Sequence, residues 1–500
     1  MTTNLLFDRL FERGSPAASA LITDARTFTY AELGAETARF ANAIIAAGVA
    51  SGDRVAVQVE KSPATLILYL ATLRAGAVFL PLNTAYTIPE LAYFLGDAKP
   101  SLVVCDPSAQ ERVKAIAGSS RVETLDARGE GTFTALAGGR SETFTTVARG
   151  PDDLAAICYT SGTTGRSKGA MLTHRALSSN AETLVGLWRF ESRDVLIHAL
   201  PIYHVHGLFV ATNVAMMAGA AMIFQPKFDA GAILAAMPRA TCLMGIPTFY
   251  TRLLARPDLT REAVAGMRLF VSGSAPLLAQ THAEWTARVG KPILERYGMT
   301  ETGMNTSNPY DGERVAGTVG FPLPGVDLRI VDEATGLELP AGDIGMIEVK
   351  GPNVCVGYWR NSEKTSEAFR DDGFFITGDL AVIDDRGYVS IVGRGKDLVI
   401  SGGLNVYPKE IETEIDALQG VVESAVIGLP HADLGEAVTA VVATGGASGL
   451  TEADVLAALV ERLAAFKRPK RVLFTHDLPR NAMGKVQKAL LREQYAGLYR

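Results

Sequence analysis

A run of glycine, serine and threonine residues offers backbone amides and side chains suited to binding phosphate groups. It follows the apolar stretch Asp153 to Tyr159, which predicts a buried strand. Glycines let the amides of such a loop turn toward an anion, and Lys168 adds a mobile positive charge suited to pyrophosphate. The spacing differs from a Walker A loop, so the sequence predicts another kind of ATP site, with a polar surface loop as the alternative. The residues predicted to contact ATP here are Thr160, Ser161, Gly162, Thr163, Thr164, Gly165 and Lys168.

The elements that must position this loop alternate between helices and strands. The first are helix Ala31–Ala47, strand Arg54–Val59, helix Ala64–Arg74 and strand Ala77–Pro81. This alternation predicts parallel sheets covered by helices. The later strands of this part are predicted at Val195–Leu200, Ala220–Phe224, Thr241–Gly245, Leu269–Ser272 and Ile293–Tyr297. After about residue 317, short strands separated by Gly, Pro and Asp turns predict a mainly antiparallel subdomain.

The end of the chain predicts a small second domain. Its elements are helix Lys409–Ala417, strands Val421–Gly428 and Ala437–Ala443, helix Glu452–Leu463 and strand Arg471–Phe474. The expected fold class is therefore α/β plus α+β. A large N-terminal domain, residues 1–395, contains parallel-sheet α/β subdomains and a β-rich subdomain, and a small mobile α+β domain covers residues 396–500. The boundary is placed at Lys396, where the preceding glycine would permit a swing of the backbone.

Composition restricts the kinds of partner. A net charge of −6 and a pI near 5.8 argue against nucleic acid or an anionic membrane as the main partner. The four cysteines lack CxxC spacing and predict neither disulfides nor a zinc site. The amino terminus is not typical of a signal peptide, so a cytoplasmic enzyme is expected. The uncharged stretch Gly207–Phe224 predicts a buried helix running into a buried strand, with a membrane span as the alternative.

The phosphate loop resembles that of the adenylate-forming (ANL) enzymes, which include acyl-CoA and aryl-CoA synthetases, luciferases and peptide-synthetase adenylation domains. Six further segments, from about residue 25 to Lys485, resemble the family's motifs in the same order. The phrases LPIYHVHGLF, SGSAPL, ERYGMTETGMNTSNPYDGERV and VQKALLRE are similar to the malonyl-CoA synthetase branch. The resemblance implies the ANL fold and an AMP-forming acid–CoA ligase. Its substrates would be ATP, coenzyme A and an acid, with Mg²⁺ as cofactor.

The resemblance also implies the catalytic residues. Lys485, after Gly484 in PRNAMGKV, would bridge the carboxylate and phosphate oxygens. Glu301 would be the magnesium ligand and Thr300 a phosphate contact, since a hard carboxylate suits Mg²⁺. The alternatives are a solvated surface lysine and a helix-capping Thr/Glu pair.

Nucleoside recognition is predicted at the SGSAP turn, whose glycine permits close approach to a flat base. Tyr297 would stack on that base and Asp379 would accept hydrogen bonds from the ribose hydroxyls, although an aspartate in a Thr-Gly-Asp turn is often only a turn former. By resemblance, Arg394 would reach the ribose or the phosphates. The ATP or AMP contacts predicted beyond the phosphate loop are Ser274, Ala275, Pro276, Glu295, Tyr297, Gly298, Met299, Thr300, Asp379, Arg394 and Lys485.

A second half-reaction needs room for a thiol, and the resemblance implies that the small domain rotates about Lys396 to provide it. A pantetheine tunnel would then be lined by the small residues Ser401, Gly402 and Gly403. The positive run Lys467, Arg468 and Lys470 is either part of a coenzyme A nucleotide site or a solvated surface.

Arg296 is the residue that predicts the acid. A fatty or aromatic acid offers a guanidinium no partner, whereas a second carboxylate does. His204 resembles the histidine that flanks the acyl pocket across the family, and His206 is an addition of the malonate-like branch. A short dicarboxylate is expected, malonate first and methylmalonate next. The residues predicted to meet the substrate carboxylate are Arg296, His204, His206 and Ser274, with Met299 and Met304 limiting the length of the acid.

Several alternatives remain open at this point. Arg296 could instead form an internal ion pair with Glu295 or Glu301. The acid could be methylmalonate or another short acid, or the adenylate could pass to a carrier-protein phosphopantetheine. A binding module without catalysis is disfavoured because Lys168, Glu301 and Lys485 are all present. The sequence predicts no particular oligomeric state.

Overall fold

A computed structural model describes residues 4–160, 167–401, 404–431, 433–446, 449–481 and 484–499. The strands are, in chain order, β1 (Ser19–Ile22), β2 (Thr27–Thr29), β3 (Arg54–Gln58), β4 (Val78–Pro81), β5 (Leu102–Cys105), β6 (Arg121–Thr124), β7 (Leu154–Thr160), β8 (Lys168–Thr173), β9 (Val195–His198), β10 (Ala221–Phe224), β11 (Cys242–Gly245), β12 (Leu269–Ser272), β13 (Leu294–Met299), β14 (Gly303–Ser307), β15 (Phe321–Pro322), β16 (Asp327–Val331), β17 (Gly345–Lys350), β18 (Phe375–Ile383), β19 (Val389–Arg394), β20 (Val399–Ser401), β21 (Leu404–Val406), β22 (Glu423–His431), β23 (Gly435–Ala443) and β24 (Arg471–Thr475).

The α-helices are α1 (Leu5–Glu12), α2 (Tyr30–Ala46), α3 (Pro63–Arg74), α4 (Ile88–Ala98), α5 (Gln110–Lys114), α6 (Thr132–Ala137), α7 (His174–Leu187), α8 (Asn213–Met217), α9 (Ala230–Ala236), α10 (Pro247–Leu254), α11 (Ala279–Val289), α12 (Ser362–Ala368), α13 (Pro408–Asp416), α14 (Glu452–Ala458) and α15 (Lys488–Gln494). Short 3₁₀ turns lie at Pro107–Ala109, Met237–Arg239 and Gly395–Asp397, and a π-helical segment covers His206–Thr212.

Two sheets form most of the large domain. The first has the strand order β6-β5-β3-β4-β7-β8 and is parallel except for the antiparallel pair β7–β8, whose connection is the phosphate loop. The second has the order β15-β14-β13-β12-β11-β9-β10-β1-β2 and is parallel from β13 to β1. Polar residues that follow parallel strands gather at one edge of a sheet, where α/β proteins bind ligands.

Helix α3 shows how apolar residues fix the packing of this domain. It is apolar on every side and buried along its whole central part, which is typical of a helix enclosed by other elements. Ser62 caps its first turn by accepting from the Thr65 amide, and Pro63 occupies the first helical position. The helix shares one hydrophobic core with both sheets.

Two antiparallel arrangements complete the fold. Strands β16-β17-β18-β19 form the β-rich subdomain, and β20 to β24 form a sheet whose β24 runs parallel to β23. The sheet formed by β20 to β24 buries hydrophobic clusters of its own, all beyond residue 398. The fold class predicted from the sequence is therefore confirmed, while the domain limits 1–395 and 396–500 stay a prediction.

The structure also shows what becomes of the uncharged stretch Gly207–Phe224 and of the helix predicted over Glu452–Leu463. The stretch Gly207–Phe224 is buried and divided into the π-helical segment, α8 and β10. Within the described ranges, no helix has the length and apolar character needed to cross a membrane. The helix predicted over Glu452–Leu463 ends at Ala458. Beyond it, the Arg468 guanidinium donates to the carbonyls of Val460 and Leu463, which satisfies them outside a helix.

Candidate functional site

A cavity of about 700 Å³ lies where the end of β7, the start of β8, the ends of β13 and β19 and the small domain meet. It brings together most of the residues that the sequence predicts for the site. Those lining it are Thr160, Lys168, His204, His206, Ser274, Arg296, Gly298, Met299, Thr300, Glu301, Met304, Arg394, Lys396 and Lys485. Segments more than 300 residues apart in the chain thus share one cavity.

Other predicted residues are placed differently. Ala275, Pro276, Glu295, Tyr297, Asp379 and Ser401 do not line the cavity. Ser161, Gly162, Thr163, Thr164, Gly165, Gly402 and Gly403 lie outside the described residues. The roles assigned to all these residues stay predictions.

Glu301 places a buried carboxylate in the cavity. It is buried at the end of β13, and its Oε1 accepts from the Thr160 hydroxyl at 3.0 Å and from the Tyr358 hydroxyl at 3.2 Å. Its Oε2 has no hydrogen-bond partner among the described residues. Lys168 lies with its Nζ 4.5 Å from the centre of the Tyr358 ring. A carboxylate held on one oxygen can offer the other to a ligand.

The donor set around Glu301 fits one magnesium ion shared with a nucleotide. The described part of the chain contains no group of three or more His, Cys, Asp or Glu residues that could hold a metal. A single carboxylate oxygen is the usual protein share when phosphate oxygens supply other ligands to Mg²⁺. Glu301 therefore fits a metal that arrives with ATP.

Lys485 enters the cavity from the small domain. Gly484 before it adopts φ +74°, and a Cβ there would lie 3.3 Å from Ile246, so the loop approaches the large domain closely. Burial in the cleft and the nearby cation Arg394 lower the pKa of Lys485 to about 8. Lys396, also in the cleft, has its pKa lowered mainly by desolvation. Such a concentration of positive charge suits an anionic ligand.

Asp379 is held between two predicted nucleoside residues. Its Oδ1 is 2.7 Å from Nε of Arg394, and its Oδ2 accepts from the Tyr297 hydroxyl at 2.5 Å. Burial and the Asp379 charge raise the pKa of Tyr297 far above its ordinary value, so the phenol stays protonated. This cluster fixes Arg394 at the cavity wall.

Arg296 is a buried cation with no ionic partner in the described part of the chain. Only 3% of the residue is exposed, and its Nε and Nη2 are buried with no hydrogen-bond partner among those residues. Among the described residues no ion pair includes Arg296, so the alternative of a bridge to Glu295 or Glu301 is wrong in this structure. Burial lowers its pKa to about 9. An unpaired guanidinium in a cavity is a site for an anion.

Glu295 and Arg296 are neighbours on β13, but only Arg296 lines the cavity. The carboxylate of Glu295 accepts from the Gly317 amide at 3.4 Å, and burial raises its pKa to about 8. Successive residues of a strand face opposite sides, which separates this acid from Arg296. The glutamate is therefore neither a cavity residue nor a counter-ion.

Two histidines and a serine surround the guanidinium. Nδ1 of His206 is 3.1 Å from Oγ of Ser274, and the His206 amide donates to Nδ1 of His204 at 3.3 Å. Burial and the Arg296 charge lower the pKa of His204 to about 4 and that of His206 well below its usual range. Both rings are neutral at pH 7, and Nε2 of His206 is buried without a partner.

The pocket gives one predicted residue an additional role and contains one residue that the sequence missed. The glycine of the SGSAP turn, Gly273, was singled out for close approach to a base, and it also makes room for Arg296, since a Cβ there would lie 2.5 Å from Nη1 of the guanidinium. The predicted contact residue Ser274 adopts φ +72°, a left-handed conformation that is uncommon for non-glycine residues and is often found at functional sites. Tyr358 was missed, and no local pattern signals that its hydroxyl would reach Glu301.

Comparisons with known proteins identify the family of the chain. A family described as "AMP-binding enzyme" matches residues 10–359, and "AMP-binding enzyme C-terminal domain" matches residues 410–485. The chain is 36% identical to a feruloyl-CoA synthase from Amycolatopsis sp, covering 97% of each chain. It is 35% identical to a malonate–CoA ligase from Arabidopsis thaliana, covering 89% of this chain and 78% of that protein.

Solved structures of one similar protein also indicate the arrangement of the domains. The ATP-bound structure of MatB from Rhodopseudomonas palustris is 63% identical over 100% of both chains, with a TM-score of 0.98. The apo structure of the same protein has the same identity and coverage with a TM-score of 0.87. The arrangement with Lys485 in the cleft is therefore closer to the form that holds ATP.

Proposed function

This chain belongs to the family of AMP-binding enzymes, and from that premise we propose that it is an AMP-forming malonate–CoA ligase. In the first half-reaction, a carboxylate oxygen of malonate attacks the α-phosphorus of ATP. The bond to the β-phosphate oxygen breaks, and malonyl-adenylate and pyrophosphate form. In the second, the sulfur of coenzyme A attacks the acyl carbon and AMP leaves, which gives malonyl-CoA.

The observation that carries this proposal is the unpaired Arg296. An ionised group that is buried without a partner is costly, so a protein retains one where a ligand supplies the partner. Arg296 lines the same cavity as Lys485 and Thr300, and malonate is a short acid with a second carboxylate. A guanidinium can bind that carboxylate through two parallel hydrogen bonds. The buried Nε2 of His206, also without a partner, lies in the same pocket.

The first half-reaction brings two anions together, and the residues of the cleft reduce their repulsion. Lys485 would neutralise the attacking carboxylate and the α-phosphate, and Arg394 and Lys168 add positive charge nearby. Glu301 would hold Mg²⁺ together with phosphate oxygens of ATP. The bound metal would supply further neutralisation of the charge on the phosphates. Thr300 would contact a phosphate oxygen.

The second half-reaction requires that Lys485 leave the cleft. The Gly395–Asp397 turn joins β19 to the small domain, and we propose that a rotation about Lys396 exchanges the two states. Ser401, Gly402 and Gly403 would then line the path of the pantetheine. The difference in TM-score between the ATP-bound and apo structures of MatB supports a mobile small domain in this family.

We also propose that the reaction takes place in the cytoplasm. All four cysteines, Cys105, Cys158, Cys242 and Cys355, are free thiols and buried. Free thiols are typical of proteins in a reducing compartment.

The proposal is tested by pyrophosphate release with ATP, Mg²⁺ and coenzyme A. The acids compared are acetate, propionate, malonate, methylmalonate, succinate and ferulate, with thioester products identified by mass. Malonate should give the highest kcat/KM, and methylmalonate should follow. Preference for ferulate or propionate would refute the dicarboxylate assignment and leave the adenylation chemistry standing. A parallel reaction with a phosphopantetheinylated carrier protein should yield no acylated carrier; faster transfer to the carrier than to coenzyme A would identify a loading enzyme.

A further inference from the structure

A buried lysine lies behind the acid pocket, outside the cavity. Lys61, between β3 and α3, is only 7% exposed. Its Nζ donates to the carbonyl of His198 at 2.8 Å and to Nδ1 of the same histidine at 2.9 Å. The same nitrogen lies 4.3 Å from the centre of the Phe224 ring. Burial lowers the pKa of Lys61 well below its usual value. Within the described residues Lys61 has no carboxylate partner, so its hydrogen bonds to His198 offset part of the cost of its burial.

The His198 ring connects Lys61 to the π-helical segment. The Gly207 carbonyl, 2.9 Å from Nε2 of His198, can only accept, so the ring proton is on Nε2 and Nδ1 is left to accept from Lys61. The hydroxyl of Thr212 lies 3.2 Å from the same nitrogen and itself donates to the Gly207 carbonyl. Gly207 and Thr212 both belong to the segment whose first residue is His206.

The π-helical segment sets the position of His206. Every residue of the segment is buried, and a Cβ at Gly207 would clash with the Pro201 carbonyl group, so the segment packs closely against the chain before it. The His198 ring adds polar contacts to Gly207 and Thr212. A π-helical turn within a helical region is often found at a functional site. Movement of this segment would move the His206 ring away from Ser274 and Arg296.

We propose that Lys61 and His198 are positioning residues that make the enzyme selective for a short dicarboxylic acid. They hold the π-helical segment so that His206 faces the second carboxylate of the acid together with Arg296. This inference rests on the proposed function. Neither residue lines the cavity, so their effect on the reaction passes through the segment.

The test compares variants that remove or keep the donor at position 198. His198→Leu removes both ring nitrogens, whereas the amide nitrogen of His198→Gln can replace the Nε2 donor. Lys61→Met keeps the length of the side chain and removes its hydrogen bonds. We expect His198→Leu and Lys61→Met to lower the ratio of kcat/KM for malonate to that for propionate at least tenfold. The KM for ATP should change less than twofold, and His198→Gln should recover most of the lost selectivity.

Two milder variants, each of which removes a single hydroxyl, test the role in case the first variants fail to fold. Thr212→Val removes the hydroxyl beside His198, and Thr72→Val removes a buried hydroxyl that donates to the Leu68 carbonyl within α3. Thr212→Val should lower the selectivity for malonate about threefold, while Thr72→Val should change thermal stability alone. The control Thr72→Val should keep the selectivity of the wild type. If Thr212→Val keeps it as well, the positioning role is refuted.

Two further outcomes separate this inference from the proposed function. A wild-type enzyme that prefers a monocarboxylate refutes the proposed function before any variant is made, and the positioning role with it. A wild type that prefers malonate, with variants that lose activity equally on malonate and propionate, refutes the positioning role alone.

Discussion

Replacing Arg296 with methionine should abolish the preference for a dicarboxylic acid. The substitution keeps most of the side-chain volume and removes the charge that the pocket leaves unpaired. Malonate would then bury a carboxylate without a partner, which costs about 3–5 kcal/mol when one member of a buried ion pair is removed. At about 1.4 kcal/mol per tenfold change, kcat/KM for malonate should fall by about 140- to 4,000-fold. Propionate has no second carboxylate, so its kcat/KM should change less than about threefold.

The same variant should be more stable than the wild type without ligand. Burial lowers the pKa of Arg296 from its ordinary value to about 9, which corresponds to a penalty on the order of 5 kcal/mol for keeping it charged in the folded state. The penalty is complete below about pH 9 and is relieved as the pH rises toward the ordinary pKa of arginine. At pH 7 the melting temperature of the Arg296→Met variant should therefore be higher.

Two measurements test whether Arg296 binds the second carboxylate of the acid. Steady-state kinetics with malonate and propionate give the change in selectivity, and thermal unfolding with and without malonate gives the change in stability. Malonate should raise the melting temperature of the wild type and leave that of the variant unchanged. Arg296→Lys, which keeps a charge but not the planar fork, should lie between the two. Equal losses on both acids, or a lower melting temperature of the free variant, would show that Arg296 supports the fold and does not bind the acid.

Four other predictions address the rest of the cavity. Gly273→Ala should raise the KM for malonate at least tenfold and leave the KM for ATP unchanged, because the new Cβ would displace the guanidinium of Arg296; equal KM values for malonate in both proteins would contradict this. Lys485→Ala should reduce malonate-dependent pyrophosphate release at least 1,000-fold, on the order of the largest electrostatic effects, while supplied malonyl-adenylate is still converted to the thioester; loss of both steps would remove the assigned role. Since the charged form of Lys485 is the active one and its pKa is about 8, kcat/KM for adenylation should fall above about pH 8, and the fall should move to higher pH at saturating ATP. Glu301→Gln should raise the Mg²⁺ concentration for half-maximal adenylation about tenfold or more, and an unchanged magnesium dependence would exclude the glutamate as a ligand.

The sequence predicted the elements of the fold well wherever periodicity is strong. The strands that end at Gly245 and Ser272 and the helix that ends at Arg74 lie where the apolar patterns place them. The limits are less well predicted where tertiary contacts compete, as at Leu463, whose carbonyl is bound by Arg468 outside any helix. The π-helical segment has no signal in the sequence, because the apolar pattern of a buried segment does not depend on its helical type.

In the site as well, the sequence predicts residues by their type and local motif but does not predict contacts between residues far apart in the chain. Arg296 and His206 could be singled out because their residue types are unusual for the pocket of a fatty or aromatic acid. The contacts of Tyr358 with Glu301 and of Lys61 with His198 join residues 57 and 137 positions apart. Such pairs depend on how the sheets pack, and a single sequence carries no pattern for them.

The π-helical segment also has a consequence for how this pocket could have arisen and how it could be changed. A π-turn accommodates one residue more per turn than an α-helix, so an ordinary helix can acquire it through the insertion of one codon without disturbing the flanking elements. Removing one residue between Leu208 and Ala211 would restore α-helical register and rotate the start of the helix by about 100° relative to its end. His206 would then face away from Ser274, and a pocket for an acid with a single carboxylate would remain. We therefore expect the deletion of one residue from this segment to lower the selectivity for malonate over propionate.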